Sequence, residues 1–87
     1  MVSGIAEKEA AAIRAFSGTF LLGCRKGREG WEVWSDLGPM RYQLGTVDTL
    51  IGEVVYRPSK PSIYRPPTYL LEFAVDVARK TGLRIVD

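Results

Sequence analysis

The sequence has no histidine at all. That removes the commonest general base, the commonest metal ligand, and both Ser-His and Cys-His activation of a nucleophile. Cysteine is nearly absent too. Cys24 stands alone, so no intramolecular disulfide forms and no second thiolate exists for a Cys-based zinc site. It lies in the apolar run Phe20-Leu21-Leu22-Gly23-Cys24, which reads as a small buried hydrophobe. No apolar run approaches the roughly 20 residues that span a bilayer. No basic leader followed by an apolar stretch opens the sequence, and Val2 follows Met1 where a myristoylation motif has glycine. A reducing, cytoplasmic setting without membrane attachment is the expectation.

What is present is ordinary in amount. The 87 residues are 46% hydrophobic and 25% charged, with net charge +2. That is enough for one α+β domain over residues 1–87 with one modest core. The small positive excess allows nucleic-acid binding without demanding it.

Residues Ile5 to Phe16 read as a helix, rich in alanine, with Ile5, Ala12, Ile13 and Phe16 on one face. Thr19 to Arg25 reads as a strand, with Phe20, Leu22 and Cys24 on one side. A glycine-flanked turn at 26–30 leads to a second strand, Trp31 to Ser35. Trp31 and Val33 share one face of it, and Glu32 and Trp34 the other. Asp36-Leu37-Gly38-Pro39 is a second turn, and Met40 to Leu44 a third strand. These three strands predict an antiparallel meander.

Thr46 to Tyr56 carries two patterns. Val47, Leu50, Ile51, Val54 and Val55 form a helical stripe without gaps. Its β-branched content and Gly52 favour a strand. Because alternation fails at Val54-Val55, the expectation is a helix. Four of the five prolines then fall in Pro58–Pro67, which excludes a helix or central strand over a 57–66 connector. Pro67 suits the start of a helix whose stripe is Leu70, Leu71, Ala74, Val77 and Ala78, stopped near Gly82. Leu83 to Val86 reads as a closing strand. The expected order is α-β-β-β-α-α-β, a meander plus a C-terminal strand with helices packed on the sheet.

No catalytic motif emerges, and the chain reads as a non-enzyme. Glu29, Glu32 and Asp36 are solvated charges beside Arg25, Lys26 and Arg28 rather than a paired acid and base. The Gly23–Gly30 stretch fails as a phosphate loop on spacing, residue type and the strand that follows. No cofactor or metal is expected. Pro66-Pro67-Thr68-Tyr69 fits a PPxY pattern, but it runs into the predicted helix. Pro58-Ser59-Lys60-Pro61 is a bare PxxP without a flanking arginine.

Two partner classes remain. The connector repeats Tyr56-Arg57-Pro58 as Tyr64-Arg65-Pro66, a stiff extended segment suited to docking. Trp34 lies opposite the other inward residues of its strand, and an exposed aromatic on a sheet marks a contact surface. The leading expectation is therefore a module that binds a protein or a second copy of itself, through Trp34, Tyr64, Arg65 and Pro66. The alternative is nucleic-acid binding through Arg25, Lys26, Arg28, Arg57, Lys60 and Arg65, cations with aromatic rings nearby.

Overall fold

The computed structural model describes residues 4–19, 21–36, 41–59 and 66–86. The elements run α1 (Gly4–Ser17), β1 (Leu22–Lys26), β2 (Trp31–Ser35), β3 (Gln43–Leu50), β4 (Glu53–Pro58), α2 (Thr68–Lys80) and β5 (Arg84–Ile85). The five strands form one sheet in the order β1-β2-β3-β4-β5. The first four are an antiparallel meander, and β5 returns parallel to β4 after α2. This is an α+β fold, as the alternating patterns predict.

Both helices lie on one face of the sheet. Ala12 and Phe16 from α1 and Leu70, Ala74, Val77 and Ala78 from α2 join one buried cluster with Leu22, Val33, Val47, Val54 and Tyr56. The strand registers put those five sheet residues on the same side. The stripes read from the sequence are thus the faces that meet. Phe16 and Tyr56 stack at 5.4 Å and 28°, a contact worth about 0.5–1.5 kcal/mol beyond the burial itself.

Thr46–Tyr56 is not a helix. Thr46 to Leu50 belongs to β3, and Glu53 to Tyr56 belongs to β4, joined by a tight turn at Ile51-Gly52. Alternation holds on each side of that turn. Val47 faces the helices with Val54 and Tyr56, while Asp48 and Val55 face away. The break at Val54-Val55 arises because both are buried, on opposite faces. Val55 is fully covered although neither α1 nor α2 lies over it. On its face it is flanked by two ion pairs, Arg57–Asp48 at 3.7 Å and Arg84–Glu53 at 3.1 Å. Arginine stems cover apolar surface while their heads stay wet. The β-branched residues and Gly52 were the correct signal.

Boundaries also move. β1 starts at Leu22 rather than Thr19. β4 runs on through Arg57 and Pro58, taking the first two residues of the expected 57–66 connector into a central strand, with Pro58 at its end. Met40 lies outside the described residues, and the third strand starts at Gln43. Between Val33 and Trp34 the register slips, so Leu44 is an extra residue in the ladder, buried in the core. Pro67 is the N-cap of α2 rather than its first residue, with φ −55° and ψ 139°, and its carbonyl accepts from Leu70 N–H at 3.0 Å.

Candidate binding edge and groove

Strand β1 is the first in the sheet, and among the described residues nothing pairs with its outer side. Two hydrogen bonds fix which of its backbone groups face outward. Asp36 N–H donates to Leu21 O at 2.9 Å, and Gly27 N–H donates to Gly30 O at 2.7 Å. In an antiparallel ladder, bonded and non-bonded pairs alternate. Gly23 and Arg25 therefore bond to β2, while Leu22, Cys24 and Lys26 turn their N–H and C=O groups away from it. Leu22 N–H is taken by Thr19 O at 3.4 Å. Among the described residues, no backbone group pairs with the outward N–H and C=O groups of Cys24 and Lys26.

Charge surrounds this edge. Arg25, Lys26 and Arg28 are all exposed. Lys26 Nζ sits 5.4 Å from the Trp31 ring centroid on the helix-bearing side. Arg25 points to the other side, opposite Glu32.

On that second side a groove of about 250 Å³ opens, lined by Gly23, Cys24, Arg25, Trp34, Asp36 and Arg41. Trp34 is half-buried and directly opposite Gly23. Its Nε1–H donates to Glu32 Oε1 at 3.0 Å, which holds the indole along the strand. Arg41 and Asp36 pair loosely at 3.9 Å, both well exposed.

Cys24 does not present a reactive thiol here. Its Sγ is half-buried on the helix side, 3.9 Å from Ile13 O. Burial pushes its pKa upward, against a smaller lowering by a hydrogen bond with Ser17. The protonated form is favoured, the opposite of nucleophile activation. Among the described residues no three His, Cys, Asp or Glu side chains converge, and no helix is long and apolar enough to cross a membrane.

The residues singled out from the sequence separate into three groups. Trp34, Arg25, Lys26 and Arg28 gather at the β1–β2 end. Arg57 lies in the same cross-strand row as Arg25, through Glu32 and Thr46. Three strand spacings, on the order of 14 Å, separate the two arginines. Glu32 stands between them, and Arg57 is paired with Asp48. Lys60, Tyr64 and Arg65 lie outside the described residues. Pro66 is buried beside the start of α2. The connector enters the fold firmly: Ser59 N–H bonds to Leu44 O at 3.0 Å, and Ser59 Oγ donates to Gln43 O at 2.7 Å.

Sequence reasoning missed Gly23 and Arg41 as parts of the groove. The available signal was a glycine inside a strand pattern, which marks a place where something approaches closely. No family model matches the chain, and neither a curated protein nor a solved structure shows significant similarity to it.

Proposed function

We propose that this chain is a non-enzymatic interaction module that binds an extended, acidic segment of a protein partner by adding it as a strand to β1. One observation carries this reading: the backbone groups of Cys24 and Lys26 face outward between exposed Arg25, Lys26 and Arg28. A strand edge supplies affinity through main-chain hydrogen bonds, and flanking side chains supply selectivity. The cations favour acidic residues in the incoming strand. They also oppose pairing with a second copy, which crowds the Arg25 and Lys26 of both chains together. A nucleic-acid backbone meets a less uniform surface, because Glu32 stands between the two arginines and Asp48 pairs with Arg57.

The test is fluorescence polarisation with a labelled ten-residue, β-prone peptide rich in glutamate. Binding is expected to weaken as salt rises. Amide shifts in a nitrogen–proton correlation spectrum are expected to centre on Cys24 and Lys26. The same peptide N-methylated at alternate residues, on the side that meets the edge, is expected to lose binding. Undiminished binding of the methylated peptide overturns strand addition. A dimer through β1 without peptide replaces the partner with a second copy. An oligonucleotide that outcompetes the peptide replaces it with nucleic acid.

A further inference from the structure

Gly23 is a glycine that the fold does not require. It lies in an extended strand and its φ is not in the left-handed region. Among the described residues, a Cβ built on it meets only Asp36 Oδ2 at 3.8 Å, an ordinary contact. At Gly45, by contrast, a Cβ collides with the Tyr56 ring and hydroxyl, and at Gly30 with the Val47 carbonyl. Packing and backbone geometry both admit a side chain at 23. Glycine there weakens the strand, since it has no side chain to pack and costs more entropy to order.

What the missing side chain creates is access to Trp34. Gly23 bonds inward to β2, so on its outer side it faces any added strand at a non-bonded position. Opposed residues come closest there, about 4.5 Å between Cα atoms. A residue opposite Gly23 finds no Cβ in its way. It reaches across the bare backbone to the indole of Trp34, with Arg25 and Arg41 on either side. Arg25 is also at a non-bonded position, two residues along, with its side chain on the same face.

We infer that the Gly23–Trp34 groove is a side-chain pocket that selects an aromatic residue in the added strand, with an acidic residue two positions before it facing Arg25. The inference rests on strand addition at β1 and supplies its specificity. The order acidic-x-aromatic follows from antiparallel pairing, which is the more stable ladder. An aromatic ring is favoured because Trp34 offers a face and the two arginines offer cations, both of which attract π-systems.

The experiment compares three peptides on the native protein by fluorescence polarisation: one containing Glu-Thr-Trp, one containing Glu-Thr-Ala, and one with the order reversed to Trp-Thr-Glu. The first is expected to bind roughly three- to tenfold more tightly than the second, the range of a single aromatic contact. The reversed peptide is expected to fall toward the alanine level. In Gly23→Val the tryptophan peptide is expected to lose its advantage, because the groove is filled while the outward groups of Cys24 and Lys26 are untouched. The native-protein comparison needs no variant to fold. Equal binding of the tryptophan and alanine peptides by the native protein overturns the pocket while leaving strand addition standing. A tryptophan preference that survives in folded Gly23→Val also overturns it. Failure of all three peptides to bind overturns strand addition, and the pocket with it.

Discussion

The Tyr56 hydroxyl lies where a side chain at Gly45 would be. It donates to the Leu44 carbonyl at 3.0 Å, and an added Cβ at Gly45 collides with its ring and oxygen and approaches the Arg57 carbonyl at 2.6 Å. The buried tyrosine and the bare strand residue are one packing solution. Tyr56 needs a partner for its hydroxyl in the core, and Gly45 makes the path to that partner open.

Gly45→Ala is therefore expected to destabilise the fold by about 1–3 kcal/mol, the usual range for overpacking. In a domain of this size each kcal/mol lowers Tm by about 4–8 °C. Tyr56→Phe is expected to cost about 1 kcal/mol, because the Leu44 carbonyl loses one of its two donors and keeps only Ser59 N–H. The two changes together are expected to cost less than their sum, since phenylalanine removes the oxygen that the alanine strikes. Urea titration of both single variants and the double variant measures this coupling.

Tyr56 also sets an alkaline limit. Burial pushes its pKa well above the ordinary value of 10.0, with a smaller contribution from charge on Cys24. The folded state thus holds a proton that the unfolded state releases. The stability from this group is complete below the unfolded pKa and is lost as pH rises toward the folded one. Cys24 acts in the same direction from its ordinary 9.0 upward. Stability is expected to decline above about pH 9–10, by at most about 1.4 kcal/mol per pH unit for each group. Tyr56→Phe is expected to flatten the steeper part of that decline, and Cys24→Ala the earlier part. Melting curves from pH 7 to pH 11 separate them.

Ile51 points to a third measurement. It is 97% exposed at the tip of the β3–β4 turn, with φ at 49°. A β-branched residue pays a steric penalty in the left-handed region, roughly 1–2 kcal/mol. Ile51→Asn is expected to stabilise the protein by about 1 kcal/mol, read as a higher urea midpoint with unchanged slope. Peptide binding at β1 is expected to be unaffected, since β2 lies between β1 and the β3–β4 hairpin.

Thiol labelling offers a fourth. Half-burial and the raised pKa are expected to make Cys24 react with a disulfide reagent at pH 7 more slowly than free cysteine. The rate is expected to keep rising with pH beyond the ordinary thiol range. A labelling rate equal to that of free cysteine at pH 7 contradicts this account of its surroundings.

Much of the fold was legible because most elements bury a single face. The stripes on α1 and α2 and the alternation in β2 each have one inward side, so period alone reveals them. Val54 and Val55 defeated that logic. Adjacent buried residues look helical unless both sides of a strand are covered, and Val55 is covered on a face that carries ion pairs rather than a helix. The candidate site was half legible. Trp34 stood out as a surplus aromatic, and the basic turn stood out by charge. The role of Gly23 depends on which residue stands across from it, and register is not written in any single strand.

The two ends of the sheet differ in how they are completed. At one end β5 reaches β4 through α2, so the closing strand is tethered and its supply is intramolecular. It stays in place whatever the concentration of anything else. At the β1 end no such tether operates among the described residues, and under the proposed strand addition occupancy would follow the amount of free partner nearby. One margin of the same sheet is thus constant by connectivity, and the other, under that proposal, would vary with its surroundings.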